Sequence, residues 1–103
     1  MADTEAQSVY YVVRCTLAYG SFDEVQSAAP EDVAAHIRRS QELHAQGTLL
    51  MAGVFLDRPD EPLRSMAVLT TREAAEDYIR DDIFYRKGLM PEWEIRAWAN
   101  MFA

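Results

Sequence analysis

The order of strand-like and helix-like segments constrains the fold of this chain more than any other feature of its sequence. Strand-like segments are rich in β-branched and aromatic residues, whereas helix-like segments repeat their apolar residues with a helical period. The order β-α-β-β-α-β within 103 residues predicts an α+β, ferredoxin-like fold, with an antiparallel sheet and two helices on one of its faces. The segments are strands at 9–17, 48–56, 63–70 and 92–101 and helices at 31–46 and 70–82.

Local signals mark the ends of these segments. Pro30 comes just before the first helical pattern, and Gly47 follows its last residue, where a left-handed cap is expected. Thr70 and Glu73 have the spacing of a capping box, which predicts that the second helix opens at Thr70. Between the first strand and the first helix we expect a long loop over 19–29.

Length and charge exclude several classes of protein. The chain is too short for two ordinary cores, so we expect a single domain over 1–103 with a disordered tail at 1–8. Its 17 acidic and 10 basic side chains give a net charge of -7, which repels a phosphate backbone and argues against nucleic acid as a partner. No apolar stretch approaches the roughly 20 residues that span a bilayer. With one cysteine, Cys15, and no signal-like start, we expect a cytoplasmic protein.

The predicted second and third strands are apolar on both faces. In the second strand, Met51 and Phe55 alternate with Ala52 and Val54. Helices cover only one face, so the other would present a large apolar surface to water. This pattern predicts a homodimer, with Val54 as a candidate interface position, and a well-packed monomer is the alternative.

Two acidic residues at the end of the second helix differ in where they point. The apolar stripe of that helix, which includes Tyr78 and Ile79, is centred near the direction of Asp82, while Asp81 points about a right angle away. A carboxylate on the buried side of a helix needs a partner, which makes Asp82 the more informative of the two. The alternative is that Asp82 lies just past the helix and accepts hydrogen bonds from loop amides.

The first helix carries two histidines on its inward side, which also includes Ser40. In the predicted topology, the start of this helix and the end of the second helix lie at the same end of the sheet. His36 and Asp82 therefore share that end, whereas His44 lies about 12 Å further along the helix axis. A histidine beside a carboxylate is a plausible acid–base pair.

Other residues expected near that end are candidates for binding a substrate. They include Phe84 and Tyr85 after the second helix and Glu94 in the last strand. Arg14 lies in a central strand and needs a partner, for which Glu94 or Glu92 is suitable. We favour that structural ion pair over the alternative, in which Arg14 binds a carboxylate or phenolate of the substrate.

The sequence lacks the signatures of cofactor or metal chemistry. It has no Gly-rich phosphate loop, no nucleophile elbow and no zinc spacing, and two histidines eight residues apart make no convincing metal pair. We therefore expect no cofactor and no metal.

Two segments resemble the YCII-related (YciI-like) family. In one, HIRRSQELHAQGTLLMAG, His36 precedes Gly47 by eleven residues, and the other is DIFYRKGL, with Ile83 in place of the family's usual proline. The likeness extends from VYYVVRC to EIRAW. By this match His36 and Asp82 are the family's His–Asp dyad, and Phe84 matches a following position. The resemblance also implies a dimeric α/β barrel with an active-site cleft and cofactor-free acid–base chemistry.

These observations favour an enzyme of the lyase, isomerase or cyclase type that acts on a small aromatic or carbonyl-containing metabolite. His36 would serve as general base or acid, and Asp82 would orient it. Two alternatives remain open. One is a cofactor-free oxygenase, as found among other dimeric α/β-barrel proteins, and the other is a non-catalytic protein that only binds a small molecule.

Overall fold

Four antiparallel strands form one sheet in the order β2-β3-β1-β4, so β1 and β3 are central. The computed structural model describes residues 8–102. β1 pairs along its whole length with β4, from Ser8 opposite Asn100 to Thr16 opposite Glu92. The elements are, in chain order, β1 (Ser8–Thr16), α1 (Phe22–Ala28), α2 (Pro30–Ala45), β2 (Leu49–Val54), β3 (Arg64–Leu69), α3 (Arg72–Arg80), α4 (Ile83–Arg86) and β4 (Glu92–Asn100).

The two faces of the sheet have different surroundings. The inner face, which carries Val13 of β1 with its cross-strand partners Ala67 and Ile95, packs against the helices. The outer face, which carries Arg14 with its partners Met66 and Glu94, has no helix against it in the described part of the chain. The main core therefore lies between the inner face and the helices, and its most buried members include Val13, Val25, Leu69 and Ala75.

Short polar residues begin three of the four helices. Ser21 accepts the backbone N–H of Glu24 at the start of α1, and Thr71 accepts that of Ala74 at the start of α3. The capping prediction was thus wrong by one residue, because the hydroxyl of Thr71, not Thr70, caps α3. Gly47 follows α2 with a φ of 79°, the left-handed conformation predicted for it.

Two short helices were not predicted. The expected loop over 19–29 contains α1, whose Val25 is buried in the core, and the segment after α3 forms the single turn of α4. Helices this short offer too few residues to show a period, so pattern alone does not reveal them. Ser8 belongs to β1 and not to the predicted tail, and residues 1–7 lie outside the described residues.

Arg14 forms the predicted ion pair but is not buried. Its Nη1 lies 3.6 Å from Glu94 Oε2, directly across the β1–β4 pair, whereas Glu92 is opposite Thr16. The Arg14 side chain is 54% exposed, because it points from the outer face. Val54 also differs from expectation, since it pairs with Ser65 on the inner face. Within residues 8–102, no helix has the length and apolar character needed to cross a membrane.

Candidate active site

His36 and Asp82 form a direct hydrogen bond, as the sequence predicted. His36 Nδ1 lies 2.7 Å from Asp82 Oδ2. The Asp82 side chain is 3% exposed, while that of His36 is 33% exposed. One member of the pair is thus fixed in the protein interior, and the other reaches a surface that a ligand can approach.

The ends of two helices bring this pair together. His36 lies in the second turn of α2, and Asp82 is the N-cap of α4, immediately after α3. Asp82 Oδ1 accepts the backbone N–H of Phe84 at 2.8 Å, so both carboxylate oxygens have a partner. Lys87 Nζ donates to Asp32 Oδ2 at 2.7 Å and joins the end of α4 to the start of α2. Both interpretations of Asp82 therefore apply: it lies just past α3 and accepts a backbone N–H there, and it also pairs with His36.

The hydrogen bond with Asp82 determines which nitrogen of His36 is available. A carboxylate only accepts, so Nδ1 carries a proton and donates it to Asp82. In the neutral ring, the other nitrogen, Nε2, then holds a free lone pair. Among the described residues, Nε2 has no hydrogen-bond partner. Aromatic rings hold the imidazole in place, with the centroids of Tyr78 and Phe84 at 6.1 Å and 6.2 Å.

An open cavity of about 560 Å³ lies between α2 and the inner face of the sheet, and the His36–Asp82 pair is in its wall. This volume is in the range of small-molecule sites. Most of its lining is apolar, including Val13, Leu49 and Met90. Its polar side chains are Cys15, His36, Ser40, Gln41, His44, Ser65, Tyr78 and Asp82.

Ser40 and Tyr78 form a second polar pair in the cavity wall, with Ser40 Oγ 2.9 Å from the Tyr78 hydroxyl. Ser40 is one helical turn after His36 on α2, and therefore on the same face. Burial raises the pKa of Tyr78, and the charge of Asp82 acts in the same direction against the opposing hydrogen bond of Ser40. Tyr78 is therefore a protonated hydrogen-bond donor near neutral pH.

Cys15 and Ser65 form a third pair, with Sγ and Oγ 2.9 Å apart. Burial raises the pKa of the Cys15 thiol, which the hydrogen bond of Ser65 lowers in part. A thiol with a raised pKa holds little thiolate and is a poor nucleophile. Cys15 was predicted as a core residue, and it packs against the core while also facing the cavity.

The structure separates the other predicted site residues. Phe84 is 3% exposed and lines the cavity. Tyr85 packs edge-on against Trp93, at 6.4 Å between ring centroids, and does not line it. Arg14 and Glu94 border a separate polar depression of about 280 Å³ with Glu92 and Arg64, so the structure does not bring them to His36.

The position of His44 corrects another expectation. His44 was placed away from the site, yet it borders the same cavity as His36, because the cavity extends along α2. Its Nδ1 lies 2.8 Å from the carbonyl oxygen of Leu49, which fixes the ring against β2. No group of three or more His, Cys, Asp or Glu side chains within residues 8–102 is arranged to hold a metal ion.

Sequence reasoning missed the roles of Ser40, Tyr78 and Cys15 in the cavity. Tyr78 was assigned to the apolar stripe of α3 and Ser40 to the inward side of α2, and both positions are correct. A serine among the inward residues of an amphipathic helix is the one signal that pointed to a polar partner.

The strand order and the helices on one face define an α+β, ferredoxin-like protein. The profile of the YCII-related domain matches residues 10–99. The chain therefore belongs to the YCII-related family, which confirms the resemblance seen in its sequence. No curated protein sequence matches it.

Two solved structures are similar to this chain. One is SnoaB, a cofactor-independent oxygenase from Streptomyces nogalater, with 17% identity and a TM-score of 0.49; the match covers 94% of this chain and 96% of that one. The other is Rv0793 from Mycobacterium tuberculosis, with 15% identity and a TM-score of 0.49, covering 92% of this chain and 96% of that one. Similarity at this level carries no conclusion about the chemistry of this chain.

Proposed function

We propose that this protein is a cofactor-independent acid–base enzyme of the lyase, isomerase or cyclase type. His36 is its general base and acid, and its substrate is a small aromatic or carbonyl-containing molecule. The observation that carries the proposal is the 2.7 Å hydrogen bond between His36 and the buried Asp82 in the wall of an open cavity.

The pair suits proton transfer for two reasons. Asp82 holds the proton on Nδ1 and so leaves Nε2 as the base, and its charge stabilises the imidazolium that forms when Nε2 takes a proton. The second oxygen of Asp82 is held by the N–H of Phe84, so the carboxylate does not rotate away. A positioned base of this kind contributes about 10²–10⁴-fold to a rate, and orientation of the substrate in the cavity supplies the rest.

The proposed reaction moves one proton and one electron pair of the substrate. Nε2 removes a proton from a carbon next to a carbonyl group, and the electron pair of that C–H bond passes into an enolate. Return of the proton at another atom completes an isomerisation. Departure of a leaving group with the electron pair completes an elimination instead.

Hydrogen–deuterium exchange tests the proposal without knowledge of the natural substrate. A panel of aryl ketones, aryl 2-oxo acids and hydroquinones is incubated with the protein in D₂O. NMR follows the C–H signals next to the carbonyl carbon of the ketones and oxo acids and the ring C–H signals of the hydroquinones. We expect His36→Asn to lose about 10²–10⁴-fold of the catalysed exchange rate. Asparagine keeps a donor for Asp82 near the position of Nδ1, so this variant removes the base with little disturbance of the pair.

Matched controls separate catalysis from folding. Asp82→Asn should slow exchange at least about tenfold, because Nδ1 of His36 loses the carboxylate that fixes its proton, whereas Asp81→Asn should keep the wild-type rate. Asp81 is an exposed neighbour outside the cavity wall and accepts a hydrogen bond from Arg86. Circular dichroism and thermal melting check that each variant is folded.

Two results would contradict the proposal. Uptake of oxygen in step with loss of a hydroquinone would favour the oxygenase alternative. A compound that binds in the cavity and exchanges no faster with wild type than with His36→Asn would favour a protein that only binds small molecules.

A further inference from the structure

We infer that the cavity selects an uncharged, largely apolar molecule whose carbonyl or hydroxyl oxygen accepts a hydrogen bond from the Ser40–Tyr78 pair. This inference rests on the proposed use of the cavity as the active site and adds the class of ligand. It depends on two features: no lysine or arginine lines the described wall, and a spare hydroxyl proton lies in the same wall as His36.

The charges around the cavity disfavour an anion. Of the described residues that line it, none is a lysine or an arginine. Arg39 lies close by, but its guanidinium donates to the carbonyl oxygens of Asp77 and Tyr78. With a neutral His36 the His36–Asp82 pair has a charge of -1, and with a protonated His36 its charge is zero. In both states the pair lacks the net positive charge that would compensate an anion for the hydration it loses on binding.

The Ser40–Tyr78 pair has one more proton than it uses. Two hydroxyl groups 2.9 Å apart share one O–H···O bond, and the remaining O–H is free to donate. Both residues line the cavity, and their hydroxyls keep their protons at neutral pH, as the raised pKa of Tyr78 indicates. A ligand oxygen that accepts this proton lies in the same cavity as His36, about one helical turn along α2 from it.

The rest of the wall favours apolar groups. Leucine, valine, methionine and phenylalanine side chains from both the sheet and the helices line the cavity. Ile37 of α2 lines it as well and is 42% exposed, because the cavity is open. Burial of apolar ligand surface supplies the binding free energy, while the hydroxyl pair sets the orientation.

Three naphthalenes of similar size test this inference by binding alone. 2-Acetonaphthone is neutral with one acceptor, 2-naphthoate is an anion, and 2-ethylnaphthalene lacks an acceptor. Titration followed by ¹H–¹⁵N NMR at pH 8 gives the Kd of each and locates it by the amide shifts of α2 and α3. We expect 2-acetonaphthone to bind at least about tenfold more tightly than 2-naphthoate.

The variants Ser40→Ala and Tyr78→Phe show whether the pair makes the hydrogen bond. Either hydroxyl alone still has a proton for the ligand, so the double variant Ser40→Ala/Tyr78→Phe is the decisive one. It should weaken 2-acetonaphthone by about three- to tenfold and leave 2-ethylnaphthalene unchanged. Ser27→Ala, on the exposed side of α1 and outside the cavity wall, is the control.

Several outcomes would overturn the inference: equal or tighter binding of 2-naphthoate, an equal loss for all three ligands in the double variant, or no shift at the cavity with any of them. Failure of the proposed catalysis is distinguishable from these. In that case 2-acetonaphthone still binds selectively to wild type and to His36→Asn, while neither protein exchanges its methyl protons.

Discussion

Asp81 and Asp82 are adjacent carboxylates whose surroundings give them different roles. Asp81 is exposed and accepts a hydrogen bond from Arg86, an arrangement that contributes little to stability. Asp82 is turned inward by the end of α3 and is held by His36 and by the N–H of Phe84. The helical period alone separated the two, because only one of them points toward the apolar stripe of α3. The sequence therefore predicted the hydrogen-bonded His36–Asp82 pair down to single residues.

At the residue scale, the sequence did not predict some of the side-chain contacts between different elements. That the Tyr78 hydroxyl reaches Ser40, and that Cys15 Sγ reaches Ser65, depends on how far α2 and α3 lie from the sheet. Hydrophobic periodicity tells on which face of a helix or strand a side chain lies, but not how close it comes to a side chain of a neighbouring element. Arg14 was expected to need a partner because it lies in a central strand, but strand order alone does not tell whether its side chain is on the helix-covered face or on the exposed outer face.

The raised pKa of Cys15 gives a prediction about its reactivity. A higher pKa leaves less thiolate at any pH below it, so alkylation by iodoacetamide at pH 8 should be at least severalfold slower in the folded protein than in the chain unfolded by guanidinium. Ser65→Ala removes the hydrogen bond that lowers this pKa and should slow the reaction further. Asp82→Asn removes a charge that raises it and should speed the reaction.

Mass spectrometry of samples quenched at intervals measures these rates. Cys15 is the single cysteine of the chain, so each alkylation event reports on this residue. A folded protein that reacts as fast as the unfolded chain would show that Cys15 is a reactive thiol and would bring it into the candidate chemistry.

At the scale of elements, α2 and α3 are joined by Arg39. Its guanidinium donates to the backbone carbonyls of Asp77 and Tyr78, at 2.8 Å and 3.1 Å, and lies 5.1 Å from the centroid of the Tyr78 ring. Carbonyls in the last turn of a helix are short of partners within it. The Asp77 carbonyl also accepts the backbone N–H of Asp81, and the Arg39 side chain adds a hydrogen bond to it and to the Tyr78 carbonyl. This contact fixes the helix that carries Tyr78 against the helix that carries His36.

Replacement of Arg39 should therefore destabilise the protein. Arg39→Met removes two charge-assisted hydrogen bonds, and we expect a loss of about 1–3 kcal/mol in the free energy of unfolding, measured with urea. Arg39→Lys should lie between this variant and wild type, because lysine keeps the charge but not the planar fork. Arg38→Met is the matched control on the exposed side of α2 and should change stability by less than about 0.5 kcal/mol. Equal losses at the two positions would contradict a bridging role for Arg39.

The four strands and the two long helices of the fold could be predicted from the sequence, whereas the two short helices could not. β1 and α2 have nine and sixteen residues, enough for a period to stand out. α1 and α4 have seven and four residues, and their formation depends on the caps Ser21 and Asp82 and on burial of Val25 and Phe84. These tertiary contacts decide their conformation, because helices of this length are not stable alone.

At the scale of the whole molecule, the outer face of the sheet has no helix against it in the described part of the chain. Its apolar residues include Val12 of β1, opposite Val68 of β3, which is in turn opposite Met51 of β2, while Trp98 of β4 is opposite Tyr10. Trp98 is 50% exposed and packs only partly against Tyr10, at 6.5 Å between centroids. An apolar surface of this kind on a small protein favours association with a second copy.

We therefore expect a homodimer through the outer face, and two tryptophans of β4 provide the test. Trp98 points from the outer face, whereas Trp93 is on the inner side opposite Cys15, with a similar exposure of 47%.

Light scattering should give wild type a mass of twice the 11.7 kDa of one chain, with an interface above about 1,200 Å². Trp98→Arg should shift the mass to that of one chain at micromolar concentration, because a desolvated guanidinium without a partner disfavours the interface. Trp93→Arg should leave the dimer intact. A wild-type mass of 11.7 kDa, or dissociation by Trp93→Arg alone, would show that the outer face is not the contact between copies.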